Sequence, residues 1–346
     1  MSELRWDPLK NNWAIITKGR SRRPQDFIQQ RARTEMAACP FCNGHEEKTP
    51  PEIYSFRPNG SKPNQAGWQV RVIPNKFPVL RIEGELDNQA EGLYDRMNGI
   101  GAHEVIIEHP EHERTLADMK SAEIAEVLKA YRTRMLDLRN DSRFRYMFVF
   151  KNYGVEASAN VSHSHSQLIA VPLIPPMIAT ELAACREYYN HKERCLVCDL
   201  MRQERNGKER VVRDDGNYLV YAPYASSFPF ELVIAPLEHG HDFTLQTDQQ
   251  LLLLAETLRD TLRRLRAVLR DPPYSFILHS APPMHLRWGR PDYWASLPSD
   301  YHWHIELAPK LTRVAGFEWG SGFHMNPTPP EEAAKFLRGA DPTVMY

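Results

Sequence analysis

Residues 160–170 read NVSHSHSQLIA. His163, His165 and Gln167 fall at alternate positions, and an apolar run continues behind them. An extended chain repeats every two residues, so a strand here sets all three polar side chains on one face. Two imidazoles and an amide in a row suit metal ligation, a catalytic device, or a partly buried polar strip with no chemistry. The rest of the chain has to decide between them.

A second H-x-H strand, HWHIELAP from His302, shows that the motif is not isolated. The first half contains Cys39/Cys42 in CPFCNG, WQVRVIPNKFPVL at 68–80, VIIEHPEHERTL at 105–116, FRYMFVFKNYG at 144–154 and HSHSQLIAVP from 163. The second half runs in the same order. It contains Cys195/Cys198 in CLVCDL, NYLVYAPYASSFPFEL at 217–232, VIAPLEHGHDFTL at 233–245, PPYSFILHSAP at 272–282 and then the H-x-H strand. Apolar residues at helical spacing predict a helix from Ser121 in the first half and from Asp248 in the second. Repetition at this scale marks a duplicated unit. The pattern predicts an α+β fold of two related halves, 1–174 and 175–346, each a mostly antiparallel sheet with helices. The stretch from about Pro175 to Arg194 joins them.

Composition narrows the class. A hydrophobic content of 42% and an aromatic content of 10% supply a sizeable core. A formal net charge of −1 offers no general attraction for nucleic acid or anionic membrane. No apolar run reaches the roughly 18 residues of a membrane span, and MSELRWDPLK lacks the apolar core of a signal peptide. A soluble, cytoplasmic protein is the expectation, with no nucleic-acid or membrane partner.

Four of the five cysteines form the two C-x-x-C pairs, and Cys185 is left without a role. Such pairs in a chain without a secretory signal point to metal before disulfides. Structural zinc takes four ligands, commonly cysteines completed by histidines. The repeat offers Cys39, Cys42, His112 and His163 in one half, and Cys195, Cys198, His239 and His302 in the other. The second set has a rival in Glu181, His279, His302 and His304, a donor set suited to zinc or iron. His302 belongs to both. The thiolate set is preferred because the first half repeats it, so two zinc ions per chain are expected, with iron at the second site as the alternative.

With His163 committed to a metal, His165 is free to act. A neutral imidazole is a competent nucleophile near neutral pH. The amide of Gln167 can donate to an oxygen that gains negative charge, such as that of a phosphoryl group. In the second half the equivalent of Gln167 is Glu306, whose carboxylate would repel that oxygen. Only the first half should be catalytic.

As an ordered set these residues resemble the galactose-1-phosphate uridylyltransferase family of the histidine triad superfamily. The likeness runs through RWDPLKNNWAIITKGRSRRPQDF near the start, CPFC, HPEHERTL, FKNYG, the H-x-H-x-Q element, SSFPFE and GFE at 316–318. It implies histidine-triad-like halves and a double-displacement nucleotidyltransferase acting on nucleotide sugars. His165 would attack the α-phosphorus and expel the sugar 1-phosphate, and a phosphate acceptor would then discharge the nucleotidyl-histidine. The resemblance assigns Gln167 to the transferring phosphoryl group, Cys39, Cys42, His112 and His163 to zinc, and Arg20 and Arg23 to the substrate phosphates. It assigns Asn152 to the nucleotide and Glu318 to hexose hydroxyls, and it implies a homodimer.

Two readings of the substrate follow. One is UDP-glucose–hexose-1-phosphate uridylyltransferase, an enzyme of galactose metabolism. The other is similar to ADP-glucose phosphorylase, which passes an adenylyl group to inorganic phosphate. Serines stand where the uridylyltransferases carry prolines in the H-P-H-P-like element, and Asn160 replaces a small hydroxyl residue. Cys195/Cys198 and the closing GFEWGSGFHMNP resemble the phosphorylase branch. A two-zinc binding module without catalysis is the reading from another class.

Overall fold

The computed structural model describes residues 1–17, 22–28, 39–287 and 289–344. A hairpin of β1 (Glu3–Asp7) and β2 (Asn12–Ile16) opens the chain. The first half then supplies β3 (Tyr54–Phe56), β4 (Val70–Pro74), an exposed hairpin of β5 (Gln89–Glu91) and β6 (Tyr94–Arg96), β7 (Ala102–Ile107), α1 (Ser121–Leu138), β8 (Tyr146–Tyr153) and β9 (His165–Val171). Helices α2 (Pro176–Lys192) and α3 (Leu196–Gly207) lead into the second half. There follow β10 (Val211–Asp214), β11 (Tyr218–Tyr221), β12 (Leu232–Pro236), α4 (Asp248–Leu269), β13 (Tyr274–His279), α5 (Leu297–Asp300) and β14 (His304–Pro309). The chain closes with α6 (Gly316–Ser321), β15 (His324–Asn326) and α7 (Pro330–Arg338).

Both long helices begin at the residues the periodicity marks. Thr247 caps α4 by accepting the Gln250 N–H while the Gln250 side chain accepts the Thr247 N–H, a reciprocal arrangement that satisfies two otherwise orphaned donors. Leu251, Leu254, Leu258, Leu262, Leu265 and Leu269 form its buried stripe. In α1 the stripe is Ile124, Val127, Leu128, Tyr131, Met135 and Leu138, and Glu123 accepts the Lys120 N–H. The two helices pack on each other across one face of the sheet and share a single apolar core.

Ten strands form one continuous sheet in the order β3-β4-β7-β9-β8-β13-β14-β12-β11-β10, with every pair antiparallel. The order is mirror-like about its centre. Each half contributes five strands in matching succession, and β8 pairs with β13 at the seam, where Phe150 opposes Ile277. The second half's outer face is covered by α2 and α3, whose Ile178, Leu182, Val197 and Met201 pack on Leu219, Val233 and Ala235. Among the described residues, the first half's outer face carries only a small cluster of Trp68, Ile73, Val105 and Ile107, with Phe41 against it. That difference leaves the outer face of β9 accessible.

One local expectation changes. The F-P segment after β4 does not continue the strand: pairing stops at Pro74, which has no N–H for the ladder, and Phe77 and Val79 are exposed. The segment that joins the halves, to which the sequence reading gave no structure, is the helix α2.

Candidate active site

The register of β9 settles the faces. His165 opposes Ile107 and Gln167 opposes Val105 on β7, while Phe150 on β8 opposes Gln167 from the other side. Asn152, two residues past Phe150, stands on the same face, and its Oδ1 accepts the Ser275 hydroxyl at 2.9 Å across the seam. His165, Gln167 and Asn152 thus lie on one face of the sheet.

His165 is half-buried beside Phe41, with ring centroids 5.4 Å apart. Its Nδ1 lies 2.8 Å from the carbonyl oxygen of His163, which can only accept, so Nδ1 carries the proton and Nε2 keeps its lone pair. Burial holds its pKa below the ordinary histidine value, and nearby Lys151 acts in the same direction. The neutral, nucleophilic form is therefore the resting one. Gln167 Oε1 lies 2.8 Å from His103 Nε2 on β7.

The inner face of the same strand is polar as well, which the sequence reading missed. Ser164 and Ser166 both donate to the fully buried carboxylate of Glu108, whose Oε2 is 2.6 Å from Lys151 Nζ. Lys151 also donates to the carbonyl oxygen of His165 at 3.1 Å and to Ser164 at 3.0 Å. Burial raises the Glu108 carboxyl, but Lys151 and the serine hydroxyls outweigh it and hold its pKa low. The serines of H-S-H-S are thus anchors: they bind the nucleophile's strand to a buried ion pair. The one available signal was a lysine inside FVFKN, on the parity opposite to Asn152.

Cys39, Cys42, His112 and His163 converge, all ligand atoms lying within 4.8 Å of one another. Cys42 Sγ is 3.6 Å from His163 Nδ1 and 3.5 Å from His112 Nδ1. A tetrahedral ion, about 2.3 Å from sulfur and about 2.0–2.1 Å from nitrogen, separates such atoms by roughly 3.5 Å. His163 Nε2–H donates to the His109 carbonyl at 2.6 Å, which turns Nδ1 toward the thiols. Burial lowers the His163 pKa to about 4, so it is neutral and able to ligate. Burial, with Cys39 adjacent, pushes the Cys42 thiol up to about 11, and a cation is what such a pair lacks.

The second half repeats this geometry. Cys195, Cys198, His239 and His302 converge, with Cys198 Sγ at 3.3 Å from His302 Nδ1 and 3.4 Å from His239 Nδ1. His302 Nε2–H donates to the Pro236 carbonyl at 3.0 Å, as His163 does to His109. Cys195 sits at the N-cap of α3 and follows a helix, not a strand.

The rival set changes membership. His302 stays with the cysteines, and Glu306 joins Glu181, His279 and His304 in a third, fully buried group that could hold a metal ion. His304 Nδ1–H bonds the His302 carbonyl at 3.1 Å, copying His165, but its ring is stacked at 4.5 Å on His279 and covered by α2. Burial opposes charge on His279, yet Glu181 and Glu306 outweigh it and raise its pKa to about 10. Lys10, from the first hairpin, reaches Glu231 at 2.6 Å and Glu306 at 2.8 Å. The counterpart of the open site is thus filled by the chain's own charges. Cys185 is buried in the apolar cluster under α2.

The remaining assignments fall elsewhere. Arg20 lies outside the described residues. Arg23 starts the turn at Pro24–Phe27, and its backbone neighbour Arg22 is tied to Pro327. Glu318, on α6, accepts the N–H groups of Ala315 and Met325 at 2.9 and 3.0 Å. Both therefore flank the small sheet in which β15 pairs with β2, not the β9 face.

The sequence profile of the galactose-1-phosphate uridyl transferase N-terminal domain matches residues 1–175. An ADP-glucose phosphorylase from Arabidopsis thaliana is 34% identical over 341 residues, 97% of this chain and 92% of the relative. A galactose-1-phosphate uridylyltransferase from Thermotoga maritima is 28% identical over 346 residues, covering 98% of each. The crystal structure of the Arabidopsis thaliana ADP-glucose phosphorylase with bound ADP-glucose superposes with a TM-score of 0.80 at 31% identity, covering 99% of both chains. With a duplicated sheet, an H-x-H-x-Q strand and its Cys/His set in place, the chain belongs to the galactose-1-phosphate uridyl transferase family.

Proposed function

We propose that this protein transfers a nucleotidyl group from a nucleotide sugar through a covalent nucleotidyl-His165. The observation that carries the reading is the fixed tautomer of His165, whose Nε2 is left free on the strand face it shares with Gln167. Nε2 attacks the α-phosphorus, the bond from that phosphorus to the bridging oxygen breaks, and the sugar 1-phosphate leaves. Gln167 donates to a non-bridging oxygen, and Asn152 contacts the nucleotide. A phosphate oxygen of the second substrate then displaces His165 and restores the enzyme.

Zinc in the two Cys/His sets would be structural, holding His163 and with it the backbone to which His165 is bonded. Two ions per chain is the count this reading gives. For the Glu181/His279/His304/Glu306 group, Lys10 and a protonated His279 already offset the two carboxylates, which speaks against a third ion. Arg23 and Glu318 lie on elements apart from β9, an arrangement that favours a homodimer in which one chain's small sheet completes its partner's site. No helix among the described residues is long and apolar enough to cross a membrane, and we place the enzyme in the cytoplasm.

The uridylyl reading, with UDP-glucose and a hexose 1-phosphate, rests on the family and on the uridylyltransferase relatives. The second reading, adenylyl transfer to inorganic phosphate, is favoured by the 34% identity to an ADP-glucose phosphorylase. Intact-protein mass spectrometry after brief incubation with UDP-glucose, and separately with ADP-glucose, tests both. A uridylyl-sized adduct absent from His165→Ala supports the first, and an adenylyl-sized adduct supports the second. No adduct with either would overturn the covalent mechanism.

A further inference from the structure

The amide of Gln167 has two chemically opposite ends, and only Nε2 can donate to a phosphoryl oxygen. Nothing in the glutamine itself chooses which end faces the reaction. The structure assigns that choice to His103, the β7 residue whose Nε2 lies 2.8 Å from Gln167 Oε1. This inference rests on the reading of His165 as nucleophile.

The ring of His103 has its tautomer imposed from behind. The backbone N–H of Val79 donates to His103 Nδ1 at 3.3 Å, and a backbone donor cannot be reversed, so Nδ1 must accept. The ring proton then sits on Nε2, donates to Gln167 Oε1, and leaves the Gln167 NH₂ group facing the phosphoryl site. The opposite tautomer would set Nδ1–H against the Val79 N–H. It would also offer Gln167 a lone pair, reverse the amide and aim a carbonyl oxygen at the transferring phosphate.

One neighbour pulls the other way. Asn75 Oδ1 accepts the Phe77 N–H at 2.9 Å, which leaves Asn75 Nδ2 3.0 Å from His103 Nε2. A donor there favours the proton-free Nε2. The Phe77 N–H fixes which end of the Asn75 amide faces the ring, but Asn75 is half-exposed and solvent can accept from its NH₂ group, whereas an Nδ1–H on buried His103 would point at the Val79 N–H, so the backbone bond to the ring decides. The ring is itself buried, and Gly101, just before β7, lets that strand lie close to β9: a Cβ at this position would come 2.4 Å from the Ala170 carbonyl oxygen. His103 is thus a positioning residue that acts through Gln167 and need not touch substrate.

A double-mutant cycle on the zinc-loaded full chain tests this. The rate of nucleotidyl-enzyme formation is measured for wild type, His103→Ala, Gln167→Ala and the double variant, with whichever of UDP-glucose and ADP-glucose labels the wild type. His103→Ala should slow the step by about tenfold to a hundredfold with KM little changed, as expected for a misaimed donor. In the Gln167→Ala background the same change should cost nothing further. His103→Gln, which can present an N–H near the position of Nε2, should recover most of the rate. His103→Phe, which keeps the ring volume without a donor, replaces the alanine variant if that fails to fold. Losses that multiply in the double variant, or a full rate in His103→Ala, would overturn the inference alone. No adduct on wild type with either nucleotide sugar would overturn the nucleophile assignment and this inference with it.

Discussion

His165 donates its Nδ1 proton to the carbonyl oxygen of His163, and His304 makes the same bond to His302. The two imidazoles are equivalent by the internal repeat, yet one is half-buried beside Phe41 and the other is fully buried, stacked on His279 beneath α2. Chemistry should follow access. His165→Ala should form no nucleotidyl adduct while keeping its fold and metal. His304→Gln should form adduct at a rate within a few-fold of wild type. An adduct that survives in His165→Ala and is lost in His304→Gln would reverse the assignment of the two halves.

The Cys/His sets should be separable by metal analysis. Wild type should hold about two zinc ions per chain, from the ligand count of two closed sites. Cys42→Ser or Cys195→Ser should each lower the content by about one. His302→Ala should remove the ion of the second set, whereas Glu181→Gln should not. Loss of metal from Glu181→Gln with retention in Cys195→Ser would return the second site to the carboxylate group.

Acidity offers a test without mutation. Burial, reinforced by Lys151, depresses the His165 pKa. A depressed pKa keeps the imidazole neutral as pH falls, and the nucleophile disappears only when pH drops through that lowered value. Adduct formation should therefore hold its rate down past the ordinary histidine pKa of about 6.5 and fall only below it. Lys151→Met should move the acid limb upward. A wild-type limb at or above pH 6.5 would contradict the electrostatics described for the site.

The buried Glu108–Lys151 pair should weigh heavily on stability. Removing one partner strands a buried charge, a loss of about 3–5 kcal/mol in comparable cases, while replacing both with apolar residues costs less. Lys151→Met should thus destabilise the zinc-loaded protein more than the Glu108→Leu/Lys151→Met double variant in denaturant unfolding. The reverse order would show that the pair does not act as a unit.

Much of this was legible in sequence. The period of two around His163 and His165 placed both on one face, and helical spacing found α1 and α4 at their first residues. The Cys and His ligands could be gathered because the repeat supplied the same order twice. What could not be read were partners set by strand register. Glu108 meets Ser164 and Ser166 only when the chain from β7 folds back on β9, and His103 meets Gln167 by the same pairing. Glu306 joins His279 across β13 and β14, so the rival metal group was drawn from sequence with one member wrong. Phe77 and Pro78 looked like strand because apolar runs carry no mark of exposure.

The seam between β8 and β13 has a consequence for how this chain can be cut. Each five-strand half ends at that seam in a strand that is paired on one edge within its own half and on the other edge by the opposite half. A fragment made of either half alone would carry a sticky edge, and its most suitable partner would be the missing fragment or a second copy of itself. Co-expressed as two pieces broken between β9 and α2, the halves should find each other through this ladder, the shared core of α1 and α4 and the pairing of β2 with β15. The duplicated enzyme is in that sense a dimer of half-molecules kept permanently at unit stoichiometry by its linker.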